Sequence, residues 1–506
     1  MPKLLLLLQR NKGHIFLLSA ILLTAPIIFL PSFRYSFPLG YAGMFTMIAE
    51  KITSSDFVLP MSIPHYGPGG IPLIYPPFAM YIFSVAMKLG APMWAYLRLV
   101  PAIFSVISII PLYYLTLELI ESKSGSFIAV ILIMTTPAVY YTHVWSAGIV
   151  RGLALALCLS GLLYYVRTIR SFSWQAFTFA GVLLGILLGT HWLYVLFAAI
   201  VGTACLVPEW KTNRVLISFC IMLLAFLVAS PWLFIILERH GLSSLLVAYS
   251  SHRNVDFLQS AQGTLELIGE NLNYVMDNWF ITVLAIPGFI LLLFRRKFHI
   301  PLAFIFVLFM GEASFYIEIL AGMMAGAFCG VIFNYLSKKY TMKNMPPLRS
   351  VTITIGTLLL VVMIIASSAI GLRQIANYAP EIDSDSLEVA AFVKNNTDPE
   401  ATYLFVGKIN EAEWFPYLLD RTPVFSPWGS EWKGTYAEQS DILINLRGCE
   451  LHKDWACMEK IQHTQQVSPS LLVVPNKRWL VQQIQSTNAW NRIFANNRYS
   501  VWVRRR

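Results

Sequence analysis

The sequence predicts a polytopic α-helical membrane protein that ends in an extracytoplasmic α/β domain, and three observations carry that prediction. Apolar residues make up 57% of the 506 positions and charged residues only 13%, against about 45–50% and about 25% in ordinary soluble domains. Apolar runs of about 17–25 residues, the length that crosses a bilayer core, recur through the first 371 positions. The remaining 135 residues are polar by contrast and long enough to fold as a domain. A water-soluble fold could not bury so much apolar surface. Low charge with 14% aromatic residues excludes a disordered chain.

A first apolar run at 15–31 follows the basic residues Lys3, Arg10 and Lys12 and has no small-x-small cleavage site before Pro31. It reads as an uncleaved anchor rather than a signal peptide. Further runs lie near 73–89, 99–118, 126–142, 149–166, 174–190, 192–206, 213–235, 278–294, 299–312, 315–336 and 350–371. Charge selects among them. If 73–89 lies along the surface or re-enters, fifteen Lys and Arg residues fall on the cytoplasmic side; if it crosses, twelve of these move outside, against the positive-inside rule. Pro72, Pro76 and Pro77 also interrupt that run. The expectation is about eleven spans in a cytoplasmic (inner) membrane, N-terminus in and C-terminus out.

This topology leaves three polar regions outside, at 32–98, 239–277 and 372–506, and divides the chain into a membrane domain, 1–371, and an extracytoplasmic domain, 372–506. The whole net charge of +10 belongs to the first, because 373–506 holds fifteen basic and fifteen acidic residues. Such an excess reports orientation rather than nucleic-acid binding. Of twelve acidic residues before position 372, only Glu118, Glu121 and Glu209 fall inside, so any chemistry faces outward. In the tail, 384–395 reads as a helix (Leu387, Ala390, Ala391, Val393), and 401–406, 470–474 and 499–504 read as strands. Cys158, Cys205, Cys220 and Cys329 lie in apolar runs and read as packing residues. Cys449 and Cys457 either form a disulfide closing a short loop or stay as buried thiols. No phosphate-cradling G-x-x-x-x-G-K-[ST] loop occurs, which argues against a nucleotide-driven pump.

The first outer loop is dense in glycine and proline, at Pro64-His65-Tyr66-Gly67-Pro68-Gly69-Gly70 and Ile74-Tyr75-Pro76-Pro77-Phe78. Such a backbone turns tightly and is rigid, as a plug between helices or as a site. From Tyr41 to Lys51 the loop reads as a short amphipathic helix on the membrane surface. One long span, this loop, many further spans and an outer C-terminal domain resemble a GT-C glycosyltransferase. The likeness is to family 39-like enzymes, relatives of the protein mannosyltransferases and aminoarabinose transferases. The stretches that carry it are YGPGGIPLIYPPF at 66–78, AGIVRGL at 147–153, Ser230-Pro231-Trp232 ahead of Arg239-His240-Gly241, and EWFP at 413–416 with Gly429-Ser430-Glu431-Trp432.

The resemblance implies a GT-C-like fold and transfer of a sugar from a polyprenyl-phosphate donor to an acceptor outside, by either stereochemical course. That chemistry needs an acid/base carboxylate near the acceptor hydroxyl and cationic or hydrogen-bonding groups on the departing phosphate. The family usually carries an acidic residue early in the first outer loop and often another after the third span. Here Leu39-Gly40-Tyr41-Ala42-Gly43 and Tyr140-Tyr141-Thr142-His143-Val144-Trp145 contain none.

The carboxylates left in the first loop are Glu50, the expected base unless it only solvates a helix face, and Asp56, which reads more as a turn residue than a catalyst. Arg151, just inside the fourth span, is costly there unless paired or at an aqueous cavity. It is expected to grip a donor phosphate with His143, or else to snorkel to the interface. His65, Tyr66, Tyr75, His191, Arg239, His240 and Glu318 complete the expected donor and substrate set, with Glu312 beside the last. In the tail, Glu413, Trp414, Arg421, Glu431 and Trp432 combine aromatic faces with polar groups, as an acceptor or cap site or as domain packing. A divalent cation is admitted as a cofactor, although no carboxylate cluster of suitable spacing is visible. Two other readings stay open: a GT-C-like scaffold that binds a lipid-linked sugar without turning it over, and a transporter, which lacks the broken-helix pairs repeated in two halves.

Overall fold

The computed structural model describes residues 12–251, 261–311, 313–340 and 347–505. The chain divides into two compact units that interleave along the sequence. One contains Leu99–Pro231 with the described parts of Met1–Arg34 and Phe257–Tyr378. The other contains Tyr35–Arg98, Ala379–Arg506 and Trp232–Asp256, again as far as described. The expected boundary between 371 and 372 therefore misses one feature: the first outer loop packs with the tail as one unit, not with the helices on either side of it in sequence.

The first unit is helical because its apolar runs must satisfy every backbone N–H and C=O internally. Among the described residues six helices are long and apolar enough to cross a membrane: Gly13–Arg34, Met93–Ile120, Gly148–Arg170, Trp192–Glu209, Thr212–Ala248 and Ser314–Tyr335. Lys123–Met134 and Pro137–Val144, bent by 68° at their junction, make a seventh if counted as one span. The expected eleven is not reached by this measure. Trp174–Leu188 and Trp279–Phe294 have 15 and 16 residues and His299–Val307 has 9, each short of a full crossing. The run at 73–89 forms only the 11-residue helix Phe78–Lys88, about 16 Å long and too short for a hydrocarbon core of about 30 Å.

The bend before Pro137 follows from chemistry. Proline lacks an N–H and pushes the residue before it out of the helical region, and Thr136 indeed has ψ 130°. The hydroxyls of Thr135 and Thr136 donate to the carbonyls of Ile131 and Leu132, each at 2.8 Å, and so satisfy groups near the break. Charge is handled in the same way. Glu118 pairs with Arg167 (3.0 Å) and Arg170 (3.5 Å), Glu121 with Lys297 (2.8 Å), and Glu209 with Arg214. All three acids expected inside thus meet bases from loops assigned to that same side.

Helices Lys123–Met134 and Ser314–Tyr340 approach closely along small residues, where helix association without a hydrophobic driving force depends on tight packing. A Cβ at Gly326 would lie 2.5 Å from the Gly125 carbonyl oxygen, and one at Gly330 would lie 2.8 Å from the Gly125 Cα.

In the second unit, β1 (Ser62–Ile63) and β2 (Ile71–Pro72) form a small antiparallel ladder within the loop. The tail carries β3 (Thr402–Phe405), β4 (Thr422–Pro423), β5 (Leu471–Pro475), β6 (Trp490–Ala495) and β7 (Tyr499–Arg504). Their order is β4-β3-β5-β7-β6; β3 runs parallel to β4 and β5, and β7 runs antiparallel to β5 and β6. Helix Ser384–Asn396, capped by Asp383, packs on this sheet over a core that includes Tyr403, Phe415 and Trp502. Cys449 and Cys457 are joined as a disulfide between helices Tyr436–Leu451 and Trp455–Thr464. β4 and β6 escape the pattern reading because β4 has two residues and β6 is exposed along most of its length.

The helix expected on the membrane surface, Gly43–Ser54, is instead a core element of this unit: Met44, Phe45, Met47, Ile48 and Ile52 are all buried. Its small residues let neighbours close in. Ser84 of helix Phe78–Lys88 donates to the Ala49 carbonyl at 2.9 Å.

Gly326→Val should therefore force apart two helix backbones and cost about 1–3 kcal/mol or more. Thermal unfolding of the solubilised protein checks this. Gly448→Ala serves as control, because a Cβ there meets nothing within 4 Å and a helical Gly→Ala exchange should leave stability level or raised by about 1 kcal/mol.

Candidate functional site

Two groups of side chains hold cavities, one in each unit. In the helical unit a cavity of about 180 Å³ is lined by Tyr141, Arg151, His191, Tyr194, Phe315 and Tyr316 among others. Arg151 lies one turn into helix Gly148–Arg170, and the steric demand at that turn is severe: a Cβ at Gly148 would lie 2.1 Å from the His143 carbonyl oxygen. His191 is the residue before helix Trp192–Leu206 and its ring meets that of Tyr194 edge-on at 5.0 Å.

His143, expected beside Arg151 on a phosphate, does not line this cavity. Its Nδ1 faces the Val139 carbonyl oxygen at 2.6 Å, so Nδ1 carries the proton. Its Nε2 then accepts from the Tyr194 hydroxyl at 2.7 Å. The imidazole orients Tyr194, which does line the cavity. Glu318 is buried in helix Ser314–Tyr340. Burial first, and the Glu318 charge second, raise the Tyr378 phenol above its usual value. Glu312 lies outside the described residues.

In the loop-and-tail unit a cavity of about 360 Å³ is lined by Glu50, His65, Trp94, Lys394, Tyr417 and Asp420 among others. Glu50 is exposed near the end of helix Gly43–Ser54 and accepts a 2.6 Å hydrogen bond from the Tyr417 hydroxyl. Burial and then Glu50 hold the Tyr417 phenol far above its usual value, so it remains a donor. His65 Nδ1 lies 3.0 Å from the Thr422 hydroxyl and Nε2 lies 3.3 Å from Asp420, whose other oxygen pairs with Lys394 at 3.3 Å. Burial holds the His65 imidazole below its usual value, with Asp420 pulling the other way and Arg421 adding to the depression. Neutral His65 thus donates from Nε2 to the Asp420 carboxylate and accepts at Nδ1 from Thr422.

Asp56, Tyr66, Tyr75, Arg239 and His240 do not line this cavity. Asp56, at φ +51°, is exposed in the turn after helix Gly43–Ser54. Tyr66 is fully buried and donates to the Glu413 carbonyl at 3.0 Å. Tyr75 packs its ring 5.4 Å from Phe45. Arg239 gives Nη1 to the Leu59 carbonyl at 2.7 Å, and His240 is half-buried beside it.

Glu413 and Trp414, expected at an acceptor site, are buried clamps. Glu413 Oε2 and Oε1 accept the N–H groups of Gly43 and Met44 at 2.8 and 2.7 Å, and Trp414 Nε1 donates to the Gly40 carbonyl at 2.7 Å. Arg421 is buried and spends its guanidinium on the carbonyls of Lys394 and Thr397 at the end of helix Ser384–Asn396. Glu431 and Trp432 lie half-buried in the short 3₁₀ turn Ser430–Lys433.

Tyr194, Tyr417, Asp420, Lys394 and Trp94 were not singled out by the sequence reading. The available signal was spacing: Tyr417 follows Glu413 by one helical turn, on the same face. Among the described residues no three His, Cys, Asp or Glu side chains converge to hold a metal ion.

No protein-family model and no curated protein sequence matches this chain. Solved structures do. The oligosaccharyltransferase AglB from Archaeoglobus fulgidus, with an inhibitory peptide and a dolichol-phosphate, is similar at TM-score 0.64 and 14% identity, over 92% of this chain and 70% of that one. ArnT from Cupriavidus metallidurans bound to undecaprenyl phosphate is similar at 0.57 and 12%, over 97% and 98%. The mycobacterial arabinofuranosyltransferase AftD is similar at 0.59 and 13%, over 96% of this chain and 39% of that one. The chain has the GT-C fold that these proteins share and is an integral membrane protein.

Glu413→Gln should destabilise the loop-and-tail unit by about 1–3 kcal/mol, since an amide N–H would face a main-chain N–H. Burial, against the main-chain donors, pushes the Glu413 carboxyl from 4.5 up to about 7. The folded chain then holds a proton that the unfolded chain releases, so stability falls as pH rises from about 4.5 to about 7. Thermal midpoints across that range should show this slope in the native chain and not in Glu413→Ala.

Proposed function

We propose that this chain transfers a sugar from a polyprenyl-phosphate donor to an acceptor on the extracytoplasmic face of the cytoplasmic membrane. The observation that carries the reading is Arg151 lining a cavity with His191 and tyrosines inside an apolar helical unit. A phosphate is the ligand that the planar fork of an arginine lining a cavity matches. The fold supports the same class, because AglB and ArnT were solved with polyprenyl-type phosphates.

In this reading an acceptor hydroxyl gives up its proton to a carboxylate, and within the loop-and-tail unit Glu50, held by Tyr417, is the carboxylate whose chemistry suits that role. The hydroxyl oxygen forms a bond to the sugar's anomeric carbon as the bond from that carbon to the phosphate oxygen breaks. Negative charge grows on the departing polyprenyl phosphate; within the helical unit, Arg151 is the group whose chemistry suits a phosphate. His143 acts through Tyr194 as a positioning residue. The Cys449–Cys457 disulfide supports an oxidising surrounding for the tail, in keeping with N-terminus in and C-terminal domain out.

A second reading, a scaffold that binds a lipid-linked sugar without turnover, is favoured by one feature: 39–43 and 140–145 contain no carboxylate.

Purified protein given polyprenyl-phosphate sugars should release free polyprenyl phosphate in the presence of acceptor, seen by chromatography of the lipid. Glu50→Gln should lower turnover by about 10²-fold or more while donor binding persists, and Arg151→Ala should weaken donor binding. Donor binding with no release in any mixture would favour the scaffold, and solute uptake into sealed vesicles would favour a transporter. A cysteine placed in the tail should be labelled by an impermeant reagent from outside the cell.

A further inference from the structure

The 360 Å³ cavity of the loop-and-tail unit has the chemistry of a carbohydrate site. Its volume lies near the low end of ligand pockets, about 300–1,000 Å³, which suits a small ligand. The fixed charges on its wall cancel, with Glu50 and Asp420 against Lys51 and Lys394. A wall of this kind offers many donors and acceptors yet no net field, and so selects a polyhydroxylated neutral ligand over an anion or a cation. Trp94 supplies the apolar face. Its ring is fixed by Phe37 at 5.6 Å and Trp414 at 5.7 Å, an orientation that a sugar's C–H face can stack upon at little entropic cost.

Backbone strain marks the same place. His65 at φ +63° and Asp420 at φ +54° both occupy the left-handed region, and their side chains meet across 3.3 Å. Asp420 does so as the C-cap of helix Ile409–Leu419, which turns its carboxylate to the cavity wall.

We infer that this cavity binds a neutral sugar unit, with Trp94 as its stacking platform and Asp420 and His65 as its hydrogen-bonding clamp. Taken with the transferase reading, on which this part rests, that sugar is the acceptor and presents its hydroxyl to Glu50.

The test uses the full chain in nanodiscs with four probes: methyl α-mannoside, N-acetylglucosamine, glucuronate and glucosamine. Saturation-transfer NMR and tryptophan fluorescence should show saturable binding of at least one of the neutral probes, methyl α-mannoside or N-acetylglucosamine, and weaker binding of glucuronate and glucosamine. Trp94→Phe keeps the aromatic packing and Asp420→Asn keeps the left-handed turn. Each should weaken the neutral sugar by about tenfold without moving the thermal midpoint. No neutral binding, tighter binding of a charged probe, or unchanged binding in both variants overturns the inference. Donor turnover without sugar binding sinks this site and leaves the transferase; sugar binding without donor turnover sinks the transferase and leaves the site.

Discussion

A single buried carboxylate joins segments 370 positions apart. Glu413 accepts the N–H groups of Gly43 and Met44, so a side chain from the tail supplies the N-terminal partners that the loop helix cannot supply itself. Geometry then propagates from this contact. Glu50 lies seven residues after Gly43 and Tyr417 lies four after Glu413, so each returns to the face of its own helix that carries the clamp. The two meet at 2.6 Å. Gly43 is required at the clamp because a Cβ there would fall 2.8 Å from the Glu413 carbonyl oxygen. The loop and the tail fold as one body because of these contacts, and the cavity with Glu50, His65 and Asp420 is a consequence.

The helical unit answers to a different constraint. Hydrocarbon offers no hydrogen bonds, so the chain must close every one itself and balance its buried charges. Threonine hydroxyls serve the break at Pro137, and each acid of the basic loops has a basic partner. Arg151 lines a cavity with His191 and Tyr194. His143, equally polar, is committed to Val139 and Tyr194.

Much of this was legible in residue order. Apolar run length gave the helices, the tail's alternation gave β3, β5 and β7, and the short helix at Phe78–Lys88 agrees with a run that does not cross. Glu50 and His65 drew attention because polar groups in the first outer loop are few, and both line the loop-and-tail cavity. Trp94, Lys394, Tyr417 and Asp420 were passed over because each looks like an ordinary surface or helix residue until the other segment is beside it. Glu413, Trp414 and Arg421 were open between an acceptor or cap role and domain packing, because both draw on the same aromatic and polar chemistry; their burial and main-chain partners go with packing.

Sequence alone decided that lipid is the solvent for most of this chain, because no aqueous fold could hide that apolar surface. It also decided that the tail carries α/β structure, since strand alternation and helix periodicity are local properties. Which polar side chains line a cavity and which are buried in the fold was decided only by tertiary contacts. A carboxylate's role depends on whether its lone pairs meet main-chain N–H groups or an open cavity, and that choice is made by segments hundreds of residues away.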